Sequence, residues 1–354
     1  MKGMRFFYWI CLLLMSYISE SNTIRVIPKS LQTFTNSWYV VGEGRKMTPD
    51  KPRKITLWSK DYVVWKTKEG QYYALQDICP HRGVALSSGN LKNGELECPY
   101  HGYKYDENGV LKCVPGIFFR PNEKYDVPKY AVVEKGGWIY LNTYELPRFA
   151  TNETVSKLAD YILLEQELQE NGMSKITLEQ TFMAHPRIVT ENSLDIMHIA
   201  YVHTFGNKVR PAPTFENPPK EIRPNHWRTS YIYESGAKSI ISKIFNLKKI
   251  EIENEFILPH TTIARIKFGN AYVNTIVTSA CPKNEFETIL YVKNYRNFFT
   301  GHLFNNMFSN MMVETLLQDK RVLETIKNEN IDGKYNMKYD KLQNTYTTLY
   351  KRRQ

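Results

Sequence analysis

From Trp38 to about residue 145 the chain alternates apolar and polar positions in short runs broken by turn residues. Trp38–Val41, Ile55–Trp58, Tyr62–Lys66, Tyr72–Leu75 and Trp138–Leu141 are rich in β-branched and aromatic side chains, which suit the half-buried face of a sheet. Glu69-Gly70, Glu107-Asn108-Gly109 and Gly136-Gly137 supply turns between such runs. The pattern predicts a small all-β domain over 36–145. Residues 146–157 are polar and predict a connection, Asp160–Glu170 has helical spacing, and 174–190 reads as a strand leading onward. Longer alternating runs follow at Trp227–Tyr233, Ile250–Leu258, Thr262–Phe268, Ala271–Ala280 and Glu287–Tyr295. Their spacing predicts an antiparallel sheet, and a helical period predicts a long helix from Phe304 to about residue 328. The fold class is read as α+β, with the all-β domain first. A second domain over 146–354 then has an antiparallel sheet and a long C-terminal helix.

The first residues break this pattern. Lys2 and Arg5 lead into an apolar run of 13 residues, Phe6–Ile18. That is short for a membrane span, which needs about 20 residues, and it fits the core of a targeting signal. Residues 21–36 then contain Ser, Thr, Arg25 and Lys29 but no acid, as the second half of a two-part organelle leader would. Residues 1–35 are therefore set apart as a leader of plastid type. A secretory signal or a membrane anchor competes with that reading, and membrane association is expected only through this segment.

Composition adds little to the fold but narrows the chemistry. At 354 residues, with 42% hydrophobic and 23% charged side chains, the chain is an ordinary globular protein with room for two domains. The 24 tyrosines point to a Tyr-rich β core. The net charge of +11 fits a generally Lys-rich surface, and it would also steer an acidic electron donor. No basic–aromatic stripe suggests nucleic acid. The cysteines at 11, 79, 98, 113 and 281 form no disulfide framework, and Cys113 and Cys281 read as ordinary thiols.

Two of those cysteines belong to short motifs, C-P-H-R-G at 79–83 and C-P-Y-H-G at 98–102. Cys79-x-His81, a gap of 16 residues, then Cys98-x-x-His101 offers two thiolates and two imidazoles. Zinc fingers pair their ligands Cys with Cys and His with His, whereas each half here has one of each. That mixed donor set suits a [2Fe-2S] cluster of Rieske type, with Cys₂ on one iron and His₂ on the other. Neutral imidazoles in place of two thiolates raise its reduction potential. Each motif ends in Gly, which permits a tight backbone turn.

A second motif runs from Asn192 through Asp195 and His198 to His203, giving N-x-x-D-x-x-H-x₄-H. Two imidazoles plus a carboxylate make the facial triad of a non-haem Fe(II) site, with positions left open for O₂. Asp195 and His198 are expected to share a helix face. His198 and His203 would lie about 140° apart on a regular helix, so a π-bulge or a helix break is expected between them.

Together the two motifs resemble the Rieske non-haem iron oxygenases, in order and spacing, over about residues 36–354. C-P-H-R-G, E-N-S-L-D-I-M-H and Q-D-K-R-V-L-E are most similar to the vanillate demethylase and pheophorbide a oxygenase branches. The resemblance implies a β-sandwich Rieske domain followed by a helix-grip-like catalytic domain. It implies Cys79, His81, Cys98 and His101 as cluster ligands, and His198 and His203 on Fe(II). It adds Asp319 as the third iron ligand, with Glu314 and Glu324 as rivals on the same helix. Asp195 would relay electrons between His101 of one chain and His198 of its neighbour in a homotrimer, and Asn192 would lie near the iron.

The activity implied is oxygenation (hydroxylation, O-demethylation or ring opening) of an aromatic or tetrapyrrole-like small organic substrate, with O₂ as co-substrate. With no flavin or nicotinamide fingerprint in the sequence, the electrons would come from an external ferredoxin or reductase. A Rieske desaturase of a sterol-like lipid and a plain Rieske electron carrier are the alternatives. Val84 and Tyr100 stand where respiratory Rieske proteins have a further cysteine pair, which sets that class aside. Tyr103 replaces a common Trp. His185, His226, His260 and His302 fit no ligand pattern and read as structural or surface residues, with His260 as a possible pocket residue.

Overall fold

The computed structural model describes residues 37–352 apart from 121, 149, 152–154, 156–172, 235–242, 245 and 336. The expected leader, Cys11 and the helix expected at Asp160–Glu170 lie outside the described residues.

The N-terminal part begins with strands β1 (Trp38–Glu43), β2 (Arg53–Leu57), β3 (Lys60–Lys66) and β4 (Tyr72–Gln76). Four short strands follow, β5 (Asn90–Lys92), β6 (Glu95–Glu97), β7 (Lys104–Tyr105) and β8 (Leu111–Cys113), then β9 (Lys129–Lys135) and β10 (Trp138–Leu146). Six strands form one sheet in the order β1-β10-β9-β4-β3-β2, and β5 to β8 form a second. Val63, Trp65, Leu75, Leu86, Leu96, Tyr105 and Leu111 pack into one buried cluster together with Cys79 and Cys98. The two cysteine loops are thus anchored by the core.

The second part starts with β11 (Ser174–Phe182), α1 (Pro186–Leu194) and α2 (Ile199–Val202). The strand expected over 174–190 therefore stops at Phe182, with Pro186 in the first turn of α1. His185 caps that helix, its Nδ1 accepting the Arg187 N–H at 3.1 Å. Next come β12 (Phe215–Glu216), β13 (Lys220–Arg223), β14 (His226–Glu234), β15 (Lys249–Ile257), β16 (Thr261–Phe268), β17 (Tyr272–Pro282) and β18 (Thr288–Arg296). These build an eight-stranded sheet in the order β11-β18-β17-β16-β15-β14-β12, with β13 also paired to β14. The long helix α3 spans His302–Leu323, and a further helix, α4 (Lys341–Arg352), closes the chain.

Alternation along the strands gives this large sheet two apolar faces. On one, Ile263, Val277, Tyr291 and Tyr295 pack against Tyr39, Trp138 and Leu141 of the N-terminal part. Lys293 is buried there too, its ammonium 3.8 Å from the centre of the Trp138 ring. On the other face, Phe182, Ala280, Leu290 and Val292 meet Ile188 and Val189 of α1 and Leu316 and Leu323 of α3.

The β2–β3 hairpin locks the N-terminal part down. Its tip residues Trp58 and Ser59 have φ of 52° and 60°, the backbone of a two-residue primed turn. The Trp58 N–H donates to Pro282 O at 2.8 Å and the Ser59 N–H to Lys283 O at 2.7 Å. The Trp58 indole N–H donates to the Tyr39 hydroxyl at 3.1 Å, and its ring lies 5.9 Å from His185 and 6.3 Å from His260. The described residues between 37 and 352 form one compact unit. Among the described residues no helix is long and apolar enough to cross a membrane.

Candidate active site

The two cysteine loops share one backbone design. The Cys79 N–H donates to Val84 O and the Gly83 N–H to Cys79 O, both at 2.8 Å. Likewise the Cys98 N–H donates to Tyr103 O at 2.8 Å and the Gly102 N–H to Cys98 O at 3.0 Å. Closing each turn puts the fourth residue after the cysteine in the left-handed region, with φ of 76° at Gly83 and 71° at Gly102.

The result sorts the donors. Both thiols are buried, while the two imidazoles are exposed and turn their Nδ1 atoms to within 3.1 Å of each other. The His81 ring stacks on Tyr103 at 4.8 Å, so the aromatic at the Tyr103 position supports that imidazole. Burial and then the neighbouring Cys79 thiol push the Cys98 pKa up; a bound metal reverses that preference. The four described cysteines are all free. Two inner thiols and two outer imidazoles with converging Nδ1 atoms fit the unequal donor set of a Rieske cluster.

The second motif folds differently from a continuous helix. α1 ends at Leu194, Asp195 caps it, and α2 is a single turn with His198 at its start and His203, in extended backbone, just after its end. Asp195 and His198 thus do not share a helix face: the chain breaks between them. The break expected between the two imidazoles is instead a pair of helix ends, and His203 leaves the helix to turn back. His198 Nε2 and His203 Nε2 come to 3.2 Å of each other. Asp319 Oδ1 on α3 lies 3.5 Å from the first and 3.4 Å from the second. Three first-row-metal ligands at roughly 2.1 Å and right angles sit about 3 Å apart, so the spacing fits a metal site. Among the described residues these three form the one group of three or more metal-ligating side chains with ligand atoms within 4.8 Å of one another.

Protonation supports the same fit. His198 Nδ1–H donates to the Asp195 backbone carbonyl at 2.7 Å, and His203 Nδ1–H donates to Gln318 Oε1 at 3.1 Å. Each Nε2 is left with its lone pair toward the centre. Burial, then His198, lower the His203 pKa against the pull of Asp319, which favours the neutral, metal-binding form. Asp319 Oδ1 is buried without a hydrogen-bond donor. Two lone pairs and a carboxylate oxygen facing one another call for a cation between them.

The neighbours of the triad fall into place around it. The rival Glu314 faces Gln318 Nε2 at 3.3 Å, and Glu324 accepts the Met183 N–H at 2.7 Å and pairs with Lys320. Asp195 Oδ1 accepts the Met197 and His198 N–H groups at 2.7 and 3.2 Å, and its Oδ2 is 4.0 Å from His198 Nδ1. Asn192 and Asp195 together line a groove of about 420 Å³. His260 is buried, with Thr190 Oγ1 and Tyr346 OH each 3.1 Å from its Nδ1, so it is a core residue and not the pocket residue considered above. Gln318 was not singled out in the sequence. Its one signal is that it stands beside Asp319 on the buried side of α3.

Comparison with known proteins bears on the same two regions. Residues 37–121 match the Rieske [2Fe-2S] domain, and residues 182–351 match the vanillate O-demethylase oxygenase C-terminal domain. The chain belongs to the Rieske non-haem iron oxygenases. The chain is 26% identical over 236 residues to the chloroplastic pheophorbide a oxygenase of Oryza sativa subsp. japonica, a match covering 62% of this chain and 42% of that one. It is 32% identical over 100 residues to a 4beta-methylsterol monooxygenase of Methylococcus capsulatus, covering 27% of each. The match thus spans less than half the length of either curated relative. The crystal structure of dicamba monooxygenase bound to 3,6-dichlorosalicylic acid superposes with a TM-score of 0.74 at 18% identity, over 90% of this chain and 96% of that chain. The fold is the same.

Proposed function

We propose that the chain is an oxidoreductase that oxygenates a small organic substrate of aromatic or tetrapyrrole type, with O₂ as co-substrate and an external ferredoxin or reductase as electron donor. The observation that carries the reading is the convergence of His198 Nε2, His203 Nε2 and the undonated Asp319 Oδ1 in a chain that also holds a Cys₂His₂ loop pair. When bound, a [2Fe-2S] cluster on Cys79, His81, Cys98 and His101 supplies single electrons, and Fe(II) on His198, His203 and Asp319 supplies O₂ activation at its open positions. A plain electron carrier has no use for the second site. The proposed division is a Rieske domain over 36–145 and a catalytic domain over 146–354.

Asp195 is proposed as the link between the two sites. Its backbone carbonyl holds the His198 N–H and its Oδ1 holds two amides. Oδ2 is left to accept an imidazole N–H from His101 in a second copy of the chain, which supports a trimeric assembly with electron relay through Asp195. Asn192, which lines the same groove, is proposed to shape that contact. The chloroplastic relative supports a plastid location for this chain.

Iron content and one variant test the reading. Reconstituted protein should hold about three iron atoms per chain, one beyond the cluster. His198→Ala should hold about two, keep the visible absorption of the cluster and lose substrate-dependent O₂ uptake. Loss of the cluster band in that variant, or only two irons in the wild type, overturns the assignment.

A further inference from the structure

We infer that Gln318 is the positioning residue that sets which nitrogen of His203 faces the metal, and that Glu314 sets the orientation of Gln318. The inference rests on the metal site proposed above.

A neutral imidazole has one N–H and one lone pair, so the partner of one nitrogen decides the role of the other. His203 Nδ1 meets Gln318 Oε1 at 3.1 Å, and its Nε2 faces Asp319 Oδ1 at 3.4 Å. A glutamine amide could present either end. If Gln318 were flipped, its NH₂ would donate to Nδ1, and the imidazole proton would move to Nε2, into the position the metal needs. Glu314 decides between the two. Gln318 Nε2 donates to Glu314 Oε1 at 3.3 Å, and an ionised carboxylate only accepts. In the flipped state two acceptor oxygens would face each other. Glu314 lies one turn before Gln318 on α3, at the i,i+4 spacing that brings side chains together.

His198 has no such dependence. Its Nδ1–H is held by the Asp195 backbone carbonyl at 2.7 Å, a group that cannot turn round. The two metal imidazoles are therefore secured in unequal ways, one by the main chain and one by a side chain whose own direction needs a second side chain.

Cobalt(II) titration of cluster-loaded protein with an empty mononuclear site tests this, with affinity measured by competition against a chromophoric chelator. Gln318→Leu should weaken Co(II) binding by roughly 10- to 100-fold, the usual cost of losing such an outer partner. Gln318→Glu should recover most of that loss, because a carboxylate accepts from Nδ1–H in either orientation. Glu314→Leu should weaken binding when residue 318 is Gln, and should not weaken it when residue 318 is Glu, because there it removes a like-charged neighbour 3.3 Å away. A purely structural role would lower the melting temperature of each variant without this dependence on the pair. Wild-type affinity in Gln318→Leu, or equal losses in Gln318→Leu and Gln318→Glu, overturns the inference. A wild type that binds no Co(II) overturns the metal site itself, and the inference with it.

Discussion

His185 is fully buried, and burial followed by the Arg187 guanidinium pushes its pKa down to about 3. In the unfolded chain the same side chain takes up a proton near pH 6.5, to within a few tenths. Between those values the unfolded state binds more protons, so stability falls as pH drops through this window and is flat above it. The slope is roughly 1.4 kcal/mol per pH unit for one such histidine. Urea midpoints measured from pH 7.5 to 4.5 should therefore decline on the acid side. His185→Asn keeps a capping side chain and should make the decline shallower by about one proton; an unchanged slope would show that His185 is not the group responsible. His260 is held neutral by burial as well. The structural reading of these histidines could be made from the sequence because they fit no ligand spacing. What could not be read was how deep they lie, since burial of a lone polar residue is decided by elements far away in the chain. The loop glycines allow a second comparison. Gly83→Ala meets open space and should cost only its left-handed backbone, about 1–2 kcal/mol. Gly102→Ala also brings a Cβ to 3.1 Å from Pro115, so it should lower cluster content further. Visible absorbance per chain of the two purified variants makes the comparison.

Among the elements, the β2–β3 hairpin tip does the most beyond its own sheet. Trp58→Ala removes an indole that bonds Tyr39 and packs near His185 and His260. We expect a loss of about 2–3 kcal/mol, somewhat below that of a fully buried Trp because Trp58 is half-exposed. Denaturant unfolding followed by cluster absorption would measure it, and a loss below about 0.5 kcal/mol, the size of an ordinary surface change, would mean the tip is a passive contact. Most strands of the two large sheets were legible because each is a run whose alternation matches a packed sheet, whereas β9, β12 and β13 were not read from the sequence. The strands β5 to β8 have two or three residues each, too few to show a period. Helix α4 was missed because its apolar residues are few; yet Leu342, Tyr346 and Tyr350 at fourfold spacing bury against Leu194 and Phe256. The candidate metal motifs were legible for a similar reason, since Cys79 to His81 and His198 to His203 are local spacings. Gln318 lies 115 residues from His203, and its role exists only once α3 lies beside α2. Asp319 was reached through family resemblance alone.

At the scale of the whole molecule, the N-terminal sheet and the eight-stranded sheet share one apolar seam, with Tyr39, Trp138 and Leu141 on one side and Ile263, Val277, Tyr291 and Tyr295 on the other. Because that seam is continuous with the core of each part, we expect both to unfold in a single transition, with cluster absorption and far-ultraviolet ellipticity lost together. Two separated transitions would show that the seam is weak. A fragment holding residues 37–146 alone would expose Trp138 and Tyr39 to water, and it should aggregate where the full chain does not. The Trp58–Ser59 tip has a bearing on how chains of this fold can be recombined. The backbone carbonyls of Pro282 and Lys283 that receive it lie more than two hundred residues further along the chain. A chimera that imports a foreign N-terminal half through a single crossover near residue 146 keeps the receptor but loses the tip that fits it. Exchange of parts should succeed only when the hairpin and the end of β17 travel from the same parent.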